Sequence, residues 1–359
     1  MKPTQQLQNL GQSIWLDNIT RELIDNGNLR RYIENFSVTG LTSNPTIFDN
    51  AIGNGHVYDL PIQEKNRTGK SGESIFIELA LEDLRRAADL LRPAFIATDN
   101  VDGWVSMEVS PMLVSDTNAS IKAARQIHQQ ANRANLFVKI PGTPEGILAI
   151  EELIFFGIPI NVTLLFSPEH YLAAAEAYLR GIERRIEAGL DPRVSSVASL
   201  FISRWDSAVN SKVPTELRNQ LGIAIGKKTY QAYCELLASE RWKKLAQAGA
   251  RPQRLLWAST GTKDSSISET LYVEALAAPD TINTMPEKTL HAYAEHGAPA
   301  DAMNCDGDDA ITVLATFAQN GIDIHSLAEQ LQHEGTEAFV KSWQQLLQRI
   351  AHKSAVVST

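Results

Sequence analysis

Short apolar runs recur along the chain and are separated by longer stretches in which apolar positions return at helical period. The runs cover residues 13–17, 37–42, 104–109, 136–140, 159–166, 195–201, 254–259 and 281–285. Amphipathic helices are predicted between them, for example over 75–91, 120–134, 145–156 and 169–188. The last of these follows Ser167-Pro168, a serine N-cap with proline in the first turn. Such alternation specifies an α/β protein with a parallel sheet, and eight strands are the number that closes a (β/α)8 TIM barrel. Residues 50–74 read as a Gly-rich polar insertion, 214–249 as a helical block longer than a standard crossover, and 324–352 as one or two C-terminal amphipathic helices. With no internal repeat or linker, residues 1–359 are expected to form one elaborated barrel domain.

Composition narrows the class of partner. The chain has 359 residues, 43% hydrophobic and 21% charged, which is ordinary for a globular protein. A net charge of -9 and a pI near 5.5 argue against a nucleic-acid binder, which carries a basic surface. They leave room for a small anionic substrate held by a few placed cations. No apolar stretch approaches the length of a membrane helix, and the N-terminal residues lack the apolar core of a secretory signal. Cys234 and Cys305 lie far apart, a count that implies no disulfide framework and suits a reducing cytosol. A cytoplasmic protein, monomer or homodimer, with no nucleic-acid or membrane partner, is expected.

Candidate chemistry sits at the C-terminal ends of the runs, where barrels of this kind carry their working groups. Lys139 interrupts an apolar segment that ends in Pro141-Gly142. Lysine is seldom buried without a purpose, and an amine held away from water can attack a carbonyl to form a Schiff base. The other strand ends supply Asp17, Thr42, Asn44, Glu108, Asn161, Thr163, Ser199, Arg204 and Ser259. An amine nucleophile, two carboxylates and several neutral hydrogen-bonding groups suit chemistry on a polyhydroxylated carbonyl compound. Asp17-Asn18-Ile19-Thr20 would also serve to open a helix, which gives Asp17 a purely structural alternative.

Four ordered motifs sharpen this picture: Thr42-Ser43-Asn44-Pro45-Thr46, Val138-Lys139, Asn161 to Ser167 and Ser199 to Arg204. Together they resemble the transaldolases, over a span from Trp15 to about Met285. The resemblance implies a (β/α)8 barrel that uses no metal or organic cofactor and transfers a dihydroxyacetone unit between sugar phosphates of the pentose phosphate pathway. It implies that Lys139 forms the Schiff base, that Asp17 takes the proton of the C4 hydroxyl, and that Glu108 and Thr163 handle a catalytic water. Asn44 and Asn161 would hold the dihydroxyacetone hydroxyls, with Thr42 beside them, and Ser199 and Arg204 part of the phosphate. Many members carry an arginine after the seventh strand. Here the loop reads Thr260-Gly261-Thr262-Lys263, so Lys263, with Ser259 beside it, is the expected substitute. Glu108 and Phe201 separate this pattern from that of the related fructose 6-phosphate aldolases, which carry glutamine and tyrosine there.

The chemistry explains why these groups belong together. Cleaving the C3–C4 bond leaves a carbanion beside a carbonyl, and conversion of the ketone to a protonated imine gives those electrons somewhere to go. One carboxylate must be ionised to accept a proton and the other must shuttle protons through water, so their environments are expected to separate their proton affinities. Elsewhere, Lys70-Ser71 lacks the glycine spacing of a phosphate loop. Asp306-Gly307-Asp308-Asp309 reads as the cap of a helix starting near Ala310.

Overall fold

In a computed structural model, which describes residues 1–262, 264, 266–298, 301–307 and 309–355, eight parallel strands close into a barrel in sequence order. They are β1 (Ser13–Leu16), β2 (Val38–Leu41), β3 (Trp104–Glu108), β4 (Leu136–Pro141), β5 (Ile160–Leu165), β6 (Ser196–Phe201), β7 (Gln253–Ala258) and β8 (Ile282–Met285). Every strand residue is buried, because the barrel interior covers one face and the surrounding helices the other. The helix Pro168–Glu187 begins as its sequence specifies, with the Ser167 hydroxyl accepting from the His170 amide at 3.2 Å.

Large side chains plug the barrel below the site. Trp15 is fully buried, donates to Asp102 at 2.7 Å and lies 6.1 Å from Phe137, which stacks on Trp104 at 4.0 Å. Gly40 is obligatory beside it: a Cβ there would stand 2.5 Å from the Trp15 indole. The β1–β2 register shifts between Ile14 and Trp15, next to this close approach.

Three sequence expectations change. Residues 50–74 are largely helical, forming parts of the helices Pro45–Asn54, Asp59–Arg67 and Gly72–Ala97. Their apolar residues Ile52, Tyr58 and Ile62 are buried, and the C-terminal helix Ile324–Ala355 packs across the first two of these helices, a partner invisible to local sequence. Cys234 and Cys305 form a disulfide, against the expectation of none. Their separation of 71 residues is no obstacle, because the fold returns the chain to the helix Leu221–Ala238 and brings the Cα atoms to 5.7 Å, within bridging range. Asp309 stands at the N-cap of the helix Ala310–Gln319 without a side-chain cap bond, since its carboxylate accepts from Lys227 at 2.7 Å instead. Asp308 lies outside the described residues.

Candidate active site

Strand register assembles the site. Glu108 of β3 pairs with Lys139 of β4, and Lys139 pairs with Asn161 of β5, so the three form one lateral row across neighbouring strands. Thr163 follows Asn161 by two residues and therefore shares its face. The row sits at the C-terminal mouth of the barrel, facing Asp17 and Thr42 just past β1 and β2.

Lys139 is buried, with its side chain 6% exposed. Its Nζ donates to the Ser43 carbonyl at 3.0 Å and lies 3.3 Å from Glu108 Oε2. Apart from that ion pair, neither Glu108 oxygen nor the buried Thr163 hydroxyl has a hydrogen-bond partner among the described residues. Buried polar atoms of this kind need an explanation, and a shared water or substrate group supplies one. Asp17 accepts from the Thr42 hydroxyl at 2.8 Å, and Thr42 in turn shares a hydrogen with Thr284 at 2.7 Å. Asp17 caps no helix: Thr20 performs that task, accepting from the Leu23 amide at 2.9 Å.

Burial pushes the Asp17 carboxyl above the usual carboxylate range, opposed by the Lys139 charge and the Thr42 hydrogen bond. Burial also raises Glu108, again opposed by Lys139. Burial thus acts on both carboxyls in the same direction. Their difference lies in partners: Asp17 has a fixed hydroxyl donor, whereas Glu108 has only the ammonium.

Neutral groups complete the floor. Asn161 donates to Ser106 at 3.2 Å and accepts from Ser199 at 2.7 Å. The Ser199 proton is thus spent on Asn161, which places Ser199 with the orientation of that amide and away from direct donation to a phosphate. Asn44 uses its carbonyl oxygen to cap the helix Pro45–Asn54, accepting from Ile47 at 3.0 Å, and keeps its amide hydrogens for other partners. Ser259, held at a positive φ of 56°, shares a hydrogen with Ser203 at 2.9 Å.

These groups open into a cavity of 390 Å³ lined by Asp17, Asn44, Lys139, Thr163, Phe201 and Arg204, among others. Arg204 is mostly withdrawn from solvent, with its guanidinium carbon 5.7 Å from the Phe201 ring centre. Among the described residues no ion pair within 4.0 Å involves it; burial lowers its proton affinity, and the Glu334 charge on the C-terminal helix opposes that. Asp206, its nearest candidate in sequence, instead accepts from the Leu221 and Gly222 amides and the Tyr272 hydroxyl. Lys263 lies outside the described residues. The cavity also gains Thr46, Asn50, Ser203, Thr284, Lys288 and Phe339, which the sequence reading missed. Thr46 and Ser203 lie inside recognisable motifs and Asn50 close to one, but Phe339 arrives from the C-terminal helix and carries no local signal. Among the described residues no cluster of His, Cys, Asp or Glu is placed to hold a metal, and no helix is long and apolar enough to cross a membrane.

Comparison with known proteins decides the family. A family model described as transaldolase/fructose-6-phosphate aldolase matches residues 14–350. The chain belongs to the transaldolase/fructose 6-phosphate aldolase family. A transaldolase of Thermobifida fusca is 44% identical to it over 362 aligned residues, covering 98% of each chain. A transaldolase of Thiobacillus denitrificans is 42% identical, over 98% of this chain and 100% of its own. A protein named transaldolase 2 from Nostoc punctiforme is 39% identical, covering 98% of each. The family match spans all eight strands and extends into the C-terminal helix that contributes Phe339 to the cavity.

Proposed function

We propose that the protein is a transaldolase that moves a dihydroxyacetone unit from sedoheptulose 7-phosphate to glyceraldehyde 3-phosphate, giving erythrose 4-phosphate and fructose 6-phosphate. The observation that carries this reading is the buried Lys139 amine, 3.3 Å from Glu108, in the floor of a polar cavity that Arg204 also lines. Lys139 attacks the ketone carbon, and Glu108 with Thr163 supplies and removes the protons and water of carbinolamine dehydration. Asp17, aligned by Thr42, accepts the C4 hydroxyl proton as the C3–C4 bond breaks. Asn44 and Asn161 hold the hydroxyls of the retained fragment, and Ser199 orients Asn161. Arg204 receives the phosphate with its planar fork, with Ser259 beside it and the Lys263 charge assigned to the same anion. The activity belongs to the pentose phosphate pathway of the cytoplasm.

Borohydride added during turnover of fructose 6-phosphate is the direct test. It should inactivate the enzyme and leave the reduced three-carbon fragment on the peptide containing Lys139; a label on a different lysine overturns the assignment. The family also contains fructose 6-phosphate aldolases, which release free dihydroxyacetone. Glu108 and Phe201 favour transfer, so fructose 6-phosphate should turn over only when erythrose 4-phosphate is supplied. Equal release of dihydroxyacetone without an acceptor would assign the chain to the aldolases.

A further inference from the structure

A second cavity reaches the catalytic row from the flank of the barrel. It has a volume of 310 Å³ and shares no lining residue with the sugar cavity. Its mouth lies between the helices Gly72–Ala97 and Thr117–Ala131, where Glu73, Ser74 and Gln126 are exposed. Buried Ile127 and Trp343 line it further in, and so does buried Glu108. Lys139 faces the sugar cavity and Glu108 the flank cavity, so their 3.3 Å ion pair bridges the wall between the two. Beyond that ion pair, neither Glu108 oxygen has a hydrogen-bond partner among the described residues.

We propose that the flank cavity is the passage through which water and its protons reach and leave Glu108 while a sugar phosphate fills the main cavity. The inference rests on the reading of Glu108 as the acid/base of imine formation. Carbinolamine dehydration breaks the C–O bond and takes a proton from the Glu108 carboxylic acid, so one water leaves on that side. Hydrolysis reverses this: water adds to the iminium carbon and its proton returns to the Glu108 carboxylate. Each transfer cycle therefore releases one water and consumes another beside a cavity that the substrate itself occupies. A separate polar-mouthed passage resolves that conflict, and its volume accommodates several waters at about 30 Å³ each. Apolar Ile77, Leu113, Ile127 and Trp343 line it beside its polar groups.

The test uses the full-length enzyme with fructose 6-phosphate in ¹⁸O-labelled water, reading incorporation of ¹⁸O into the ketone after subtraction of the uncatalysed rate. Ala123, on the cavity wall, and exposed Ser74, at its mouth, are the positions to fill. Ala123→Phe and Ser74→Trp should each slow incorporation roughly tenfold or more, a part of the 10²–10⁴ that a general acid/base contributes. The amount of imine trapped by borohydride at equilibrium and the equilibrium Kd for the sugar should stay unchanged, because narrowing a passage alters rates and not equilibria. Ala123→Ser, which leaves the passage open, should match the wild type. Wild-type incorporation in both filled variants overturns the passage. A loss of trapped imine or a raised equilibrium Kd in both variants also overturns it, since the wall would then be supporting the sugar site. Glu108→Gln separates the two ideas: unimpaired exchange in that variant removes the acid/base reading itself, whereas slow exchange there beside normal filled variants removes only the passage.

Discussion

Asp206 sits on the short helix Ser203–Val209 that also carries Arg204, and its environment makes a quantitative prediction. Its side chain is buried without a cation, and burial raises its carboxyl from 3.8 to about 6, partly offset by hydrogen bonds from Tyr272, Gly222 and Leu221. The gap between 3.8 and about 6 is about 2.2 decades of proton affinity, or about 3 kcal/mol at about 1.4 kcal/mol per decade. The folded state holds this proton more tightly than the unfolded chain. The resulting stabilisation is complete below pH 3.8 and is lost as pH rises through about 6. Other carboxylates, such as Glu176 beside Arg241, shift the opposite way, so the contribution must be read as a difference between two proteins. Asp206→Asn keeps the shape and an acceptor for the Leu221 amide but cannot ionise. It sacrifices the bonds that Oδ2 accepts, from the Gly222 amide at 3.3 Å and the Tyr272 hydroxyl at 2.8 Å, so at pH 4 it should be no more stable than the wild type. Between pH 4 and pH 7 the variant should gain about 2.4 kcal/mol relative to wild type, because about 0.4 of the 2.2 decades is already lost at pH 4. Urea unfolding of both proteins across that range, with the disulfide kept oxidised, measures it. A difference that stays flat with pH refutes the reasoning, because it would mean that Asp206 titrates alike in the folded and unfolded chains.

Under the proposed mechanism the two carboxyls should fail differently: Asp17→Asn should still form the trapped imine yet lose about 10²–10⁴ in carbon–carbon cleavage, while Glu108→Gln slows imine formation itself, as single-turnover measurements would resolve. Because Asp17 must be ionised and burial raises it, activity should fall away on the acid side at a pH above the ordinary carboxylate value of 3.8. Arg204→Ala should impair reaction with phosphorylated sugars and spare the slow reaction of unphosphorylated fructose; equal losses on both would assign Arg204 to the fold. Reducing Cys234–Cys305 opens a loop of 71 residues and should cost about 4 kcal/mol of stability in the chain-entropy account. Thermal unfolding with and without reductant checks this, and Cys234→Ser should be indifferent to the reductant.

The strands were legible because each is buried on both faces, which leaves a short, mostly apolar run between longer segments of helical period. Strand-end polar residues such as Lys139 and Glu108 stood out as exceptions to that rule. What their partners do was not legible. Register decides that Glu108 faces Lys139, and only the fold shows that Thr42 serves Asp17 and that Ser199 serves Asn161. The helices Pro45–Asn54 and Asp59–Arg67 were hidden for a related reason. Their apolar residues are sparse until the C-terminal helix covers them, and Arg349 and Lys353 from that helix pair with Asp49 and Asp59. The disulfide was equally silent, since sequence separation does not measure distance.

The C-terminal helix shows how a segment far from every motif comes to govern them all. Gln332, Gly335, Phe339 and Trp343 are spaced by three or four residues and so form one stripe. Gln332 donates to the carbonyls of Gly142 and Leu164, at 3.2 and 2.9 Å, which ties the helix across the ends of β4 and β5. Gly335 permits that approach, because a Cβ there would stand 2.9 Å from the Leu164 side chain. One turn further on, Phe339 enters the wall of the sugar cavity, and four residues later Trp343 enters the wall of the flank cavity. At about 1.5 Å rise per residue these two aromatics lie about 6 Å apart along the helix axis. A small slide of the helix would therefore change both cavities together. The anchors at Asp49 and Asp59 oppose such a slide from the far end, so the helix fixes the sugar's enclosure and the flank passage as one unit.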